Sequence, residues 1–419
     1  MSFGTRVVLG LIAGLAVGAL LAAANDPALL QVVPALEPIG TLWLSALRMT
    51  VVPLIVSMLI TGIVSASETA ATGRVATRAI ALFLIGLTAA GILSAAIMPL
   101  FLTWWPVDPV AAAALRAIAS ASQSAIPQLP PMREWIVNLI PVNPFKAAAD
   151  DAILQVVIFA LFFGFGASKL APDLRAPLLG FFRAVMETMF VIIQWVLWLA
   201  PLGVFALALK VGASGGVHAA GALVQYVVFM CTLGVIITVL AYPVAMIFGR
   251  VPFMKFVRAM GPAQAVAIGT QSSLASLPAM LTGARSQLGL SERVTDITLP
   301  LAVSMFRITS PLFNLGIVIF TAHVSGVELD FTRLAIGVAL SVLTSFSVVG
   351  LPSQFSLFNT TVPISLGMGV PMELLPLIVA VEVVPDIFRT VGNVTADVAV
   401  TTVVARSAGE TDPVPDVAR

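Results

Sequence analysis

The stretch Leu375–Val404 reads LPLIVAVEVVPDIFRTVGNVTADVAVTTVV. It has the length and apolar content of a membrane-spanning helix, yet it carries Glu382, Asp386, Arg389, Asn393 and Asp397. An ionised group at the centre of a bilayer costs roughly 2.5–3.5 kcal/mol on insertion scales. A chain tolerates several of them together only where they face protein or water. At about 100° per residue, Asp386, Asn393 and Asp397 fall on one stripe, with Glu382 beside them and Arg389 a little further round. Two readings of the stripe stand: a buried ion-pair network joining helices, or a binding site for ions and a charged small molecule. An arginine fork suits a carboxylate, a carboxylate such as Asp386 suits an ammonium group, and Asp397 with Asn393 offers hard oxygen ligands to a small cation.

The rest of the chain supports a membrane setting. Of 419 residues, 59% are hydrophobic and 10% charged, against about 25% charged in soluble domains. Net charge is +1, which argues against a nucleic-acid partner. The single cysteine, Cys231, excludes an internal disulfide, and no Cys/His pattern suggests a metal centre. Apolar runs of spanning length lie near Val7–Ala24, Ile39–Val64, Ala79–Leu102, Ile153–Leu170, Phe190–Leu209 and Ala219–Ile247. The first is longer than the apolar core of a signal peptide and reads as a span. The region Trp105–Asp151, with its QLPPMREW segment, reads as an extramembrane excursion, and the polar tail 407–419 as disordered.

Lys and Arg concentrate on the cytoplasmic side if both termini are cytoplasmic and if Pro262–Gly283 and Leu343–Leu366 each enter and leave on one side. Both segments carry a small polar cluster and then Leu-Pro at their middle: SSLASLP (Ser272–Pro278) and SFSVVGLP (Ser345–Pro352). Broken helix at mid-depth is tolerated beside a water-filled cavity, and opposed hairpins form the inverted repeats of many transporters. The plainer alternative is two proline-kinked spans.

The run Asp386–Arg406 resembles the last helix of the dicarboxylate/amino acid:cation symporter family, the glutamate-transporter homologues. That family's pattern is Asp-x-x-Arg-Thr-x-x-Asn-Val-Thr-Gly-Asp, with only the glycine replaced here, by Ala396. SSLASLP, LAPLGVFAL (Leu199–Leu207) and IPVNPFKA (Ile140–Ala147) resemble further family stretches. The resemblance implies an all-α membrane protein with eight transmembrane helices and two opposed re-entrant hairpins. It implies an elevator-type homotrimer in the bacterial inner membrane. Residues 1–78 would form scaffold helices, 79–104 the third helix of a transport domain, and 105–248 a loop with helices 4–6. Residues 249–406 would form the core of the transport domain.

Carried over by the same resemblance, substrate would meet Arg389, Asp386, Asn393, Thr390, Ser272, Ser273, Ser310 and Gly350. A cation would meet Asp397, Asn393 and Ser304, and the gate would be Ser345, Ser347, Val348, Val349, Gly350, Leu351 and Pro352. The chain departs from the family at its seventh helix. Where Asn-Met-Asp-Gly-Thr is usual, alignment places Phe306, Arg307, Ile308, Thr309 and Ser310; in the third helix it places Phe83, Gly86 and Leu87 at sodium-binding positions. Arg307 then reads either as a tethered cation replacing a sodium ion, or as a bridge to Glu382 or Asp386. Glu382 reads as a proton carrier, a packing residue or the partner of Arg307.

The expected function is a cation-coupled symporter for acidic amino acids such as aspartate or glutamate, with reduced or altered sodium coupling. The coupling ion is sodium, a proton or both, with no other cofactor. The alternative is a C4-dicarboxylate symporter for succinate, malate or fumarate, proton-coupled. An anion channel is a third class, separable by a current that does not saturate. No nucleophile–base pair or phosphate loop suggests an enzyme.

Overall fold

Prolines divide this chain where hydropathy alone does not. A computed structural model describes residues 3–24, 26, 31–70, 73–119, 140–150, 152–347 and 353–408. The helices are α1 (Phe3–Ala24), α2 (Val32–Arg48), α3 (Val51–Ala70), α4 (Arg74–Trp104), α5 (Pro109–Ala119), α6 (Pro144–Ala149), α7 (Ile153–Ser168), α8 (Pro172–Trp198) and α9 (Ala200–Ile247). After them come α10 (Phe253–Thr270), α11 (Ser273–Thr282), α12 (Glu292–Met305), α13 (Thr309–Ser325), α14 (Phe331–Ser347), α15 (Ser353–Gly367), α16 (Leu375–Val381) and α17 (Val383–Ala408). No strand occurs among the described residues.

Among the described residues, six stretches are long and apolar enough to cross a membrane: Arg6–Ala24, Val32–Thr69, Arg74–Trp104, Pro172–Trp198, Ala220–Ile247 and Glu292–Ser325. With a mean hydropathy of +1.07, this is an all-α integral membrane protein. Two of the expected runs are interrupted. Ile39–Val64 is broken at Met49–Thr50, and Phe190–Leu209 at Leu199. Two further breaks fall at Phe306–Ile308 and at Glu382. Each precedes a proline in the first turns of the next helix: Pro53, Pro201, Pro311 and Pro385. A proline has no N–H for the carbonyl four residues back, and its ring crowds that carbonyl. The carbonyls concerned at three of the breaks belong to Met49, Arg307 and Val381. That of Arg307 is taken instead by the Ser310 amide at 2.8 Å.

One element order occurs twice. The helix pair α10–α11 precedes the broken helix α12/α13, and the pair α14–α15 precedes the broken helix α16/α17. In the first pair Gln271 takes a left-handed conformation at φ 52°, and Ser272 caps α11 by accepting from the Ala275 amide at 3.2 Å. The tip of the second pair holds the expected gate residues Val348, Val349, Gly350, Leu351 and Pro352, which lie outside the described residues, as do the QLPPMREW segment and residues 409–419 of the tail.

Two apolar cores flank this repeat. One joins α1, α2, α3, α9, α13 and α15; the other joins α10, α11 and α12 to the first half of α4 and the second half of α17. Glycines bring α1 onto α9. A Cβ on Gly10 would lie 2.5 Å from the Pro201 carbonyl oxygen, and one on Gly14 2.6 Å from that of Phe205. Small residues at such spacing let backbones of membrane helices approach closely.

Candidate functional site

The two helix breaks and α17 meet in the interior, and they bring most of the predicted polar residues together. α17 supplies Asp386, Arg389, Thr390, Asn393 and Asp397, each at most 4% exposed. Thr390 is held by its own helix, donating to the Asp386 carbonyl at 2.9 Å.

Asn393 does structural work across helices. Its Oδ1 accepts from the Thr309 amide at 3.0 Å and the Thr309 hydroxyl at 2.9 Å. The first amides of a helix have no partner within it, and α13 has no side-chain cap of its own. Asn393 provides that cap from α17. Ser310, the next residue, is buried and accepts from Asn314 Nδ2 at 2.9 Å; Asn314 also donates to Thr360 at 2.7 Å. α13 is thereby tied to both α17 and α15. Ser94 of α4 fastens it from another side by donating to the Leu312 carbonyl at 2.7 Å.

Arg389 lies at the centre. Its Nη2 is 3.1 Å from Glu382 Oε2, with both side chains buried. Its Nη1 donates to Asn314 Oδ1 at 3.4 Å, and its guanidinium carbon lies 4.7 Å from the centre of the Phe313 ring, in range for a cation–π contact. Its Nε has no hydrogen-bond partner among the described residues. The second Glu382 oxygen accepts from the Tyr226 hydroxyl of α9. Glu382 therefore pairs with Arg389, not with Arg307, which removes one of the three readings of that residue.

Arg307 occupies the first break, half-buried. Asp386, Asp397 and Arg389 all lie within its electrostatic range. The Asp397 carboxylate is 1% exposed, and neither of its oxygens accepts a hydrogen bond among the described residues. A buried carboxylate needs a cation or a proton. Arg307 places a positive charge within electrostatic range of Asp397.

On the opposite side of the same break, the aligned cation positions hold hydrocarbon. Phe306 stacks on Phe83, with ring centroids 4.9 Å apart and planes 20° from parallel. Gly86 makes room for the stack: a Cβ there would lie 2.7 Å from the Phe306 ring.

The remaining predicted residues sit further out. Ser272 and Ser273 are half-buried at the first tip, which Gln271 fastens to the start of α17 by donating to the Val383 carbonyl at 3.5 Å. Ser304 donates to the Leu301 carbonyl within its own helix. Ser345 is buried and donates to the Ser341 carbonyl at 2.6 Å. The Ser347 side chain and Gly350 lie outside what is described. Sequence reasoning missed Tyr226, Thr309, Asn314 and Thr360. Asn314 was visible as a lone polar group in the apolar run PLFNLGIVIF, and Tyr226 beside Gln225 in another.

A helical membrane protein with opposed charges gathered at two helix breaks belongs to the class that moves charged solutes. The comparisons narrow the class. Residues 3–407 match the sodium:dicarboxylate symporter family, and the chain belongs to that family, as the Asp386–Arg406 resemblance led one to expect. The proton/sodium-glutamate symport protein of Bacillus subtilis (strain 168) is 27% identical over 425 residues, covering 98% of this chain and 93% of that protein. The proton/glutamate-aspartate symporter of Escherichia coli (strain K12) is 27% identical over 410 residues, covering 97% and 92%. The neutral amino acid transporter B(0) of Homo sapiens is 29% identical over 248 residues, covering 58% of this chain and 45% of that protein. These relatives are transporters, not enzymes.

Proposed function

We propose that the protein is a secondary active, cation-coupled symporter for acidic amino acids such as aspartate or glutamate. One observation carries the reading: the buried guanidinium of Arg389 is held by a carboxylate of the chain's own, Glu382, and keeps its Nε unpartnered. A substrate's distal carboxylate suits that fork and takes the place of the Glu382 oxygen. Glu382 then retains Tyr226 but loses its cation, so it takes up a proton. Asp386 would hold the substrate's ammonium group, and the first tip with Ser272 and Ser273 its α-carboxylate.

Charge balance supports cation coupling. Arg307 and Arg389 set two positive charges against the three of Glu382, Asp386 and Asp397, which leaves these five side chains one negative charge when all are ionised. An unbalanced buried charge is costly, and an anionic substrate adds to it. Protons at Glu382 and a sodium ion at Asp397 would restore neutrality. With Phe83 and Phe306 filling the other aligned cation positions, fewer sodium ions would move per cycle than in members that keep those ligands.

We further propose the family's architecture for this chain: eight spans, two re-entrant hairpins with α14–α15 as the gate, cytoplasmic termini, and a trimer in the bacterial inner membrane. Within it, residues 79–104 and 249–406 and the sixth span would move as a transport domain against a scaffold of residues 1–78 and helices 4–5. A second reading, a C4-dicarboxylate symporter, is favoured by Arg307. A guanidinium within range of Asp386 competes with a substrate ammonium group. Uptake into proteoliposomes under imposed sodium, proton or no gradient tests both. Aspartate accumulation that succinate and malate do not compete supports the first reading, and the reverse supports the second. Gradient-independent, non-saturating flux would overturn both in favour of a channel.

A further inference from the structure

A recess of 530 Å³ opens between α4 and α9, with α17 and the first helix break at its back. Its walls are hydrocarbon. Ile85 of α4 and Leu240 of α9 form exposed rims, and Ala396 and Ala399 of α17 lie at its base. An opening of this kind on helices of membrane length faces acyl chains, not water.

One end of the recess is strongly basic. Each of the three helices that line it carries an arginine within about one turn of a lining residue: Arg78 below Leu82, Arg250 after Phe248, and Arg406 after Val403. The three meet. Arg78 donates to the Ser407 carbonyl at the end of α17. Gly249 packs against Thr402, and Arg250 and Arg406 lie within electrostatic range of each other. No carboxylate pairs with Arg250 or Arg406 among the described residues. Like charges crowded together without a counter-ion attract an anion, and basic pockets between membrane helices on the cytoplasmic side suit anionic lipid headgroups.

We propose that this recess is a binding site for one anionic phospholipid, with an acyl chain between α4 and α9 and the phosphate on Arg250 and Arg406. The chain's terminal carbons lie against Phe306 and Ile308, behind the break that carries Arg307. The recess backs onto the first break through Gly86, Phe306 and Ile308 but includes none of the residues assigned to the substrate, and it does not depend on the function proposed above.

Native mass spectrometry of the full chain in detergent tests it, with dioleoyl phosphatidylglycerol and dioleoyl phosphatidylcholine as probes that share acyl chains. Phosphatidylglycerol should bind at least about tenfold more tightly, a difference of about 1.4 kcal/mol. Arg250→Gln with Arg406→Gln should erase the preference. Ala89→Trp, which fills the recess from an exposed position, should weaken both lipids. Three results would overturn the proposal: equal binding of the two lipids by the unaltered chain, undiminished phosphatidylglycerol binding by Ala89→Trp, or displacement of the lipid by millimolar inorganic phosphate. Cross-linking of chains through a cysteine placed at Ala89 would overturn it too, by assigning the recess to a second copy.

Discussion

The two helix breaks share a cause and differ in charge. Each lies just before a proline, Pro311 or Pro385, and each brings one ionisable side chain into the interior. The first carries the cation Arg307 and is backed by the Phe83–Phe306 stack. The second carries the anion Glu382, which has partners on both oxygens, Tyr226 and Arg389. The first break sets a positive charge among the carboxylates of Asp386 and Asp397, whereas the second sets a negative charge in a pair with Arg389. A direct pair can be exchanged, oxygen for oxygen, by an incoming carboxylate. Arg307 adds a fixed positive charge of the chain's own beside those carboxylates. Under the proposed function, the second break would handle the substrate and the first would set how many cations accompany it.

The largest test removes the residue that both breaks address. Arg389→Ala leaves Glu382 buried without its cation, a loss of about 3–5 kcal/mol for a broken buried pair. Uptake should vanish and the melting temperature should fall. Arg307→Met comes next: it deletes the standing charge and leaves the five-residue cluster with one more negative charge to offset. Transport should then require about one additional sodium ion or proton per substrate, read from reversal potentials in proteoliposomes. An unchanged stoichiometry would reduce Arg307 to a packing role.

Glu382→Gln should be milder, because glutamine keeps the shape and can still accept from Tyr226. Substrate would bind with Arg389 already vacated. Uptake driven by an inward proton gradient should lose its dependence on that gradient while substrate binding persists. A variant still driven by protons would place the proton elsewhere. Gly86→Ala should have the smallest effect. The added methyl meets the Phe306 ring at 2.7 Å, and overpacking of this kind costs about 1–3 kcal/mol. A drop in melting temperature with unchanged coupling would show that the stack is structural.

How far these features were legible in the sequence follows from what kind of signal each leaves. The charges of α17 stood out because they interrupt a hydrocarbon run, and the first helix pair because SSLASLP supplies the Ser272 cap; its Pro278, expected to break the helix, lies instead within α11. The breaks themselves were harder to see. Pro53, Pro201, Pro311 and Pro385 end helices here, yet Pro99, Pro243 and Pro300 sit within continuous ones. Whether a proline breaks or merely bends depends on who satisfies the freed carbonyl and the orphaned amides, which is tertiary information. At the first break the answer is Asn393, 84 residues away. The same gap hid the Glu382–Arg389 pair. A helical wheel sets Glu382 and Arg389 only about 20° apart, but seven residues of regular rise would hold them about 10 Å apart along the axis, and the pair forms where the helix is interrupted at Glu382. Tyr226 was one of only two tyrosines in the chain, but nothing local to α9 says that its hydroxyl meets a carboxylate.

The surplus of one carboxylate over guanidinium among these five side chains makes the interior an electrical element as well as a chemical one. Carried through a membrane field, a single elementary charge exchanges about 2.3 kcal/mol for every 100 mV. Whichever ion cancels that surplus decides whether the unloaded return is pulled by the resting voltage or indifferent to it.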